Sequence, residues 1–159
     1  NLDLQAEVNI ARPFTYSHES NQTSYAHYNQ ALAHPVGANF REFVGIARYQ
    51  ALKKLNLTAK LIVTEYGTDS TKTGASFGKD VTKSYNQRIG DYGFSIGSGI
   101  KTQLLYLDFT ASYQLKQNLF IDFRQLFRRL ESDLSSQNNS AVVTSLALRL
   151  NIAPREQVF

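Results

Sequence analysis

Cysteine is absent from this sequence of 159 residues, which excludes a disulfide framework, a cysteine-based metal site and a thiol nucleophile. A run of about eighteen or more apolar residues is also absent, which excludes a transmembrane helix. It does not exclude a transmembrane β-barrel, because apolar residues alternate with polar ones along the strands of a barrel. Blocks of one charge are missing too. The 17 Lys+Arg and 13 Asp+Glu residues are scattered singly and leave a net charge of +4, so nucleic-acid binding is not indicated.

Alternation of apolar and polar residues is the main positive feature. It is clear in residues 1–16, 55–64, 104–115 and 142–152, and it predicts four β-strands. Residues 40–52 and 119–130 carry apolar side chains on both faces, and we assign two further strands there. The predicted apolar face, which we expect to be exposed along one side of the sheet, includes Leu57, Leu61, Leu107 and Leu148.

The predicted connections alternate between short and long. Residues 53–54 and 116–118 form tight turns, whereas residues 17–39, 67–99 and 131–140 form long loops at the opposite end. Bacterial outer-membrane barrels have short periplasmic turns and long extracellular loops. The sequence therefore predicts an all-β fold of antiparallel up-and-down strands, forming part of a transmembrane β-barrel. We expect it in the lipid of the outer membrane of a Gram-negative bacterium, with the long loops extracellular.

Six strands are too few to close such a barrel, since about eight is the smallest number known. An open edge in lipid would leave backbone groups without hydrogen bonds. We therefore interpret residues 1–159 as the six-stranded C-terminal portion of a larger barrel, with the remaining strands supplied by the same longer polypeptide. The alternatives are an oligomeric barrel and a soluble β-sandwich.

Aromatic residues suggest two girdles at the membrane interfaces. Phe14, Tyr16 and Phe127 are expected near the long loops, and Tyr49 and Tyr113 near the tight turns. The general preference of aromatic residues for strands explains the same pattern without a membrane.

Signs of catalysis are weak. His18, His27 and His34 lack a clustered carboxylate or cysteine that would complete a metal site, so hydrogen bonding within an ordered loop is the favoured role. The letters of G-x-S-x-G occur at residues 93–97, but in a predicted loop and not between a strand and a helix, where a nucleophile elbow lies; residues 97–99 form only a Gly/Ser-rich bend. The sequence predicts no catalytic residue, no metal, no cofactor and no enzymatic activity.

Three longer strings carry a resemblance to a known family. They are residues 9–18 (NIARPFTYSH), residues 27–42 (HYNQALAHPVGANFRE) and residues 83–93 (KSYNQRIGDYG) followed by 97–102 (GSGIKT). Together they resemble the C-terminal region of capsule-assembly-type outer-membrane proteins of Bacteroidota, some of which are named gliding-motility proteins. The resemblance implies a large single-chain barrel at the cell surface. For the capsule-assembly relatives it implies non-covalent attachment of surface polysaccharide at the extracellular face.

The predicted loops contain residue types that bind sugars, namely aromatic rings for stacking and amides and arginine for hydrogen bonds. The candidate ligand-binding residues are Tyr28, Asn29, Tyr85, Asn86, Arg88 and Tyr92. The alternative is that these residues order the loops on the barrel mouth.

The leading hypothesis is a non-enzymatic surface protein whose extracellular loops associate with acidic surface polysaccharide or with other outer-membrane proteins. An alternative is a transport or secretion component, in which inward charges line the lumen or neutralise one another: Asp108, Asp122, Arg124, Arg128 and Arg149. A third hypothesis is a soluble carbohydrate-binding β-sandwich.

Overall fold

The computed structural model describes residues 1–70 and 74–152, and within them the chain forms eight β-strands and two short 3-10 turns. No helix in these ranges is long and apolar enough to cross a membrane. The 3-10 turns are Tyr85–Gln87 and Ser135–Gln137. The strands are β1 (Leu2–Ala11), β2 (Ala26–His27), β3 (Gln30–Ala31), β4 (Phe40–Leu52), β5 (Leu55–Thr68), β6 (Ile100–Lys116), β7 (Leu119–Ser132) and β8 (Asn139–Leu150).

Six of these strands form one antiparallel sheet in the order β1-β4-β5-β6-β7-β8, and β2 and β3 form a separate hairpin. Sequential antiparallel pairing of the six predicted strands is therefore confirmed. Neither β1 nor β8 has a second neighbour among the described residues, so the sheet is not closed. The all-β antiparallel fold is thus shown, whereas closure into a barrel is not.

The two tight turns lie at one end of the sheet, and both contain two residues. Lys53 and Lys54 connect β4 to β5, and Gln117 and Asn118 connect β6 to β7. Asn118 has a φ of 61°, a left-handed conformation that asparagine tolerates better than most residues. At the opposite end lie loop 1 (residues 12–39), loop 2 (residues 69–99) and loop 3 (residues 133–138). Residues 71–73 of loop 2 and residues 153–159 lie outside the described ranges.

The two faces of the sheet differ in chemistry, as the alternation predicts. One row of paired residues on the apolar face runs Ala6, Gly45, Leu61, Leu107, Phe127 and Val142 across all six strands. Leu107 and Leu148 are exposed, and Leu57 and Leu61 are half-exposed. No second sheet covers this face in the described part of the chain. Within the described residues the chain therefore forms no second packed sheet of the kind that the β-sandwich alternative requires.

Four of the five predicted aromatic positions lie at the expected end of the sheet, and Phe127 does not. Phe14 and Tyr16 lie beyond β1, which ends at Ala11 because Pro13 has no N–H to continue the ladder. Phe127 pairs with Leu107 and Val142 in the middle of the sheet and not near the long loops. Tyr49 and Tyr113 do lie at the turn end and are exposed on the apolar face. Aromatic residues therefore lie at both ends of the sheet, although Phe14 and Tyr16 at the loop end lie in loop 1 and not on a strand.

Candidate functional site

Loops 1 and 2 are joined by one buried side chain, that of Asn39. Its exposed fraction is 0% and its φ is 56°. Its Nδ2 donates to the carbonyl oxygens of Gly67, Phe77 and Ser98 at 3.0, 3.1 and 2.9 Å. Its Oδ1 accepts from the backbone N–H of Gly97 at 2.8 Å. Asn39 therefore holds the end of loop 1 against both ends of loop 2.

Close backbone contacts extend this junction. The N–H of Phe14 donates to the carbonyl of Gly78 at 3.1 Å, and the N–H of Ala38 donates to that of Lys79 at 3.1 Å. A Cβ at Gly78 would lie 2.4 Å from the Phe14 nitrogen, so only glycine permits this approach. The Phe14 ring meets the Phe94 ring edge-on at 4.9 Å between centroids. The first two long loops thus fold together.

The joined loops cover the loop end of the polar face. Ala11 and Phe40 lie on that face and are buried with Ala38 and Val81 from the loops. His34 stacks on Phe40 with 4.4 Å between ring centroids. Among the described residues, the buried apolar side chains are Ala11, Ala38, Phe40, Ala75 and Val81. The small core of this chain is therefore at the loop end, on the face opposite the apolar one.

His34 has a structural hydrogen-bonding role. Its Nδ1 accepts from the backbone N–H of Val36 at 3.2 Å, which leaves Nε2 to donate to Glu42 Oε1 at 3.1 Å. Glu42 also accepts from the Thr64 hydroxyl at 3.0 Å. No cluster of three or more metal-ligating side chains occurs within residues 1–70 and 74–152.

A salt bridge within loop 2 also stabilises its fold. Lys83 Nζ lies 2.6 Å from Asp69 Oδ2, and the other carboxylate oxygen of Asp69 accepts from the Phe77 N–H at 2.7 Å. The hydrogen bond to Asp69 raises the pKa of Lys83 above its ordinary value. Lys83 is therefore held charged beside the carboxylate.

The six candidate ligand-binding residues lie in two separate places. Tyr28 and Asn29 form the turn of the β2–β3 hairpin, with φ of 48° and 60°, as in the tight turns typical of hairpins. Tyr28 is 88% exposed, and its ring contacts His27. Asn86 lies exposed in the 3-10 turn of loop 2, where its N–H donates to Ser84. Neither the tip of the hairpin nor Asn86 lines the groove formed by the other three predicted residues.

Tyr85, Arg88 and Tyr92 do come together, in a groove of about 380 Å³ that also contains Arg12. Tyr92 is 94% exposed, whereas Tyr85 is half-exposed. The guanidinium of Arg88 lies 5.0 Å from the Tyr85 ring centroid. Its Nη2 also contacts Asp91 Oδ1 at 2.7 Å. Arg88 is therefore already engaged by an anion and by a ring.

Arg12 was not among the predicted site residues. It is exposed, and no salt bridge within the described ranges involves it. The sequence did mark Arg12 as unusual, because it occupies a position that the alternation of the first strand would give to an apolar residue. In this groove Arg12 is more available to an acidic ligand than Arg88 is.

A second cleft of about 670 Å³ lies among all three loops and was not predicted either. Asn29 and Gln30 line it from the hairpin, Lys79 and Asp80 from loop 2, and Gln137 from loop 3. Burial lowers the pKa of Lys79, whose Nζ lies 4.8 Å from the Tyr66 ring centroid. No periodic pattern marks these residues, since only loop folding brings them together.

Four of the five predicted inward charges on the polar face are paired, and the fifth, Arg128, forms no salt bridge within the described residues. Arg124 Nη2 lies 2.6 Å from Asp108 Oδ2, and Arg149 Nε lies 2.7 Å from Asp122 Oδ2. Both pairs connect neighbouring strands. The predicted inward charges thus neutralise one another in these two pairs.

Comparison of the chain with models of protein families, with curated proteins and with solved structures finds no match in any of the three. The class that strand pairing defines is an antiparallel all-β sheet with one exposed apolar face. The resemblance to capsule-assembly-type proteins stays a prediction from the sequence.

Proposed function

We propose that this sheet is part of a transmembrane β-barrel in the outer membrane, with loops 1–3 on the extracellular side. The observation that supports the proposal is that the loops cover the polar face of the sheet and leave the apolar face exposed. The apolar face is bare, whereas the loops fold over the polar face, where the small core lies. A protein in water would bury the apolar face first. A lipid-facing sheet needs the reverse arrangement.

The height of the apolar face suits a bilayer. On β5 the apolar positions run from Leu55 to Val63. At about 3.4 Å per residue and a tilt of about 40°, these eight steps cover about 21 Å of membrane normal. The apolar band of outer-membrane barrels is about 25 Å tall. The unpaired edges of β1 and β8 would then pair with strands from the same longer polypeptide, since an open edge in lipid leaves backbone groups unsatisfied.

The proposed role is non-enzymatic association with acidic surface polysaccharide, or with partner proteins, as the resemblance to capsule-assembly and gliding-motility proteins implies. Tyr92 offers a ring face for stacking on a sugar. Arg12 offers a cation for charge-assisted hydrogen bonds with a carboxylate. Both line the groove beside Tyr85.

The test is retention of the cell's own surface polysaccharide at equal surface abundance of each variant. Arg12→Ala/Tyr92→Ala should reduce retention, and so should the triple variant Tyr85→Ala/Arg88→Ala/Tyr92→Ala. Tyr28→Ala should not, because Tyr28 lies outside the groove. Unchanged retention in both groove variants would refute polysaccharide binding. Reduced surface abundance of a groove variant would indicate that these side chains order the loops.

The competing function is transport or secretion. The pairing of Asp108 with Arg124 and of Asp122 with Arg149 favours a neutralised lumen over an ion pathway. Single-channel recordings of the full-length protein should therefore show no steady conductance. A stable open conductance would favour the transport function.

A further inference from the structure

We propose that the loop end of the apolar face binds an anionic, phosphate-bearing lipid between a row of cationic side chains and an apolar groove. The inference rests on the membrane placement proposed above and adds a ligand site to it. The cationic side chains are Arg41, Lys101 and Arg129. They lie on the face opposite the loop core, away from the polysaccharide groove.

The charged row continues the apolar face by one step towards the loops. Arg41 pairs with Glu65, Glu65 with Gln103, and Gln103 with Glu131, all on the apolar face. The Oε2 atom of Glu65 lies 3.1 Å from Arg41 Nη2 and 3.1 Å from Lys101 Nζ, and it accepts from Gln103 at 3.3 Å. Since Glu65 is two residues beyond Val63, the row lies where the apolar band ends.

Around Glu65 the cationic groups are the accessible part of this row. The Glu65 side chain is 12% exposed, whereas those of Arg41 and Lys101 are 61% and 43% exposed. Arg129 and its partner Glu131 are both exposed, at 57% and 53%. Three cations face two carboxylates here, since Arg129 pairs with Glu131. A guanidinium carries five N–H donors in a planar fork, and Glu65 engages only part of the Arg41 fork. Beside Arg41, an approaching phosphate therefore meets free donors before it meets the Glu65 carboxylate.

An apolar groove of about 520 Å³ lies directly below the row. Val8, Phe43, Val63 and Leu105 form its floor, and Arg41 and Arg129 stand at its rim. Val8, Phe43, Val63 and Leu105 pair in register across four neighbouring strands. The groove is thus continuous across four strands, with the charged row along its edge nearest the loops.

This combination identifies the ligand class. A free phosphate ion would gain nothing from contact with the apolar floor, and an acyl chain alone would make no favourable interaction with the cations. A lipid with an anionic phosphate satisfies both, with its headgroup at the level of the row and its chain against the apolar floor below it. Cationic residues near a membrane surface attract anionic lipid by about 1 kcal/mol each.

The experiment is native mass spectrometry of the full-length protein in nonionic detergent, offered equal amounts of dipalmitoyl phosphatidic acid and dipalmitoyl phosphatidylcholine. Wild type should retain phosphatidic acid over phosphatidylcholine by about thirtyfold, given two contributing cations at about 1 kcal/mol each. Arg41→Gln/Arg129→Gln should bring the ratio close to one while leaving Lys101 to pair with Glu65. The control Arg48→Gln/Arg128→Gln removes two cations from the polar face and should keep the wild-type ratio.

A second variant distinguishes a lipid site from a purely structural ion cluster. Glu65→Gln frees Arg41 and Lys101 from their carboxylate, so the lipid proposal predicts stronger retention of phosphatidic acid. An unchanged or weaker retention would overturn the proposal, as would equal retention of the two lipids by wild type. Displacement of the lipid by millimolar inorganic phosphate would show a free-anion site and would also overturn it.

Failure of this inference can be told apart from failure of the membrane placement. A protein that fractionates with the outer membrane but does not discriminate between the lipids would refute the lipid site alone. A protein that stays in the aqueous fraction without detergent would refute both.

Discussion

Replacing Asn39 by alanine should release loops 1 and 2 from one another without unfolding the sheet. The substitution removes a buried amide that contacts three carbonyls and one N–H. A typical hydrogen bond contributes about 0.5–1.5 kcal/mol, and a buried group left unsatisfied costs about 1–3 kcal/mol. We therefore expect the loop junction to weaken by about 3 kcal/mol. A further cost of about 1 kcal/mol comes from alanine at positive φ.

Asn29→Ala is the matched control. Asn29 also has a positive φ, 60° against 56° for Asn39, but it is exposed at the hairpin tip. The control therefore carries the backbone strain without the loss of the buried amide. The difference between the two variants isolates the hydrogen bonds of Asn39.

Amide hydrogen exchange of the full-length protein in detergent micelles measures the effect. The segment from Ser95 to Gly99 should exchange faster by about a hundredfold in Asn39→Ala, as a weakening of about 3 kcal/mol implies. The middle of β6 should keep its protection, because its ladder does not involve the loops. If Asn39→Ala exchanges no faster than Asn29→Ala in this segment, the side chain does not join the loops.

Three further outcomes are expected. Leu107→Arg should destabilise the membrane-inserted protein by about 2–4 kcal/mol in urea titrations in vesicles. The control Leu126→Arg should cost much less, because Leu126 lies on the polar face opposite Asp108. Equal costs would contradict lipid exposure of Leu107. Asn118→Gly should be tolerated in the same titrations and Asn118→Val should not, because φ is 61°; equal stability would refute the turn geometry. The pKa of Lys83 is raised, so its stabilisation of loop 2 should be present below about pH 10.4 and lost as pH rises through the raised pKa. Proteolysis of loop 2 should therefore become faster at alkaline pH in wild type, and this increase should be absent in Lys83→Met.

The strands were predictable because alternation is a local property of the sequence. Leu57 pairs with Ala111 and Leu61 pairs with Leu107, so Leu57 and Leu107 lie on the same face of the sheet. Counting alternate residues along each strand was enough to predict this. The tight turns followed from the ends of the alternating segments. Strand ends were less accurate: β5 continues to Thr68 and β6 begins at Ile100, since backbone pairing continues where the side chains no longer alternate.

Positions that depend on depth or on loop folding were predicted less well. Phe127 was placed near the loops by its distance from a loop boundary, but pairing with Leu107 puts it in the middle of the sheet. Asn39 lies within a conspicuous string of residues, yet nothing in that string shows which carbonyls its amide would meet. Its partners Gly67, Phe77 and Ser98 are distant in sequence. Such contacts exist only after the loops fold.

Exceptions to the alternation nevertheless carry information that the strand assignment leaves unused. Ala11, Phe40 and Tyr66 are apolar or aromatic residues on the polar face, and they pair side by side at the loop end. The loop core forms over them. Ile46 and Leu126 break the same face farther from the loops and stay half-exposed. Val44 and Ile62 pair on the same face farther from the loops and also stay half-exposed. An apolar residue on the polar face therefore marks loop docking only at the loop end and beside a second such residue, because a loop needs a contiguous patch within its reach.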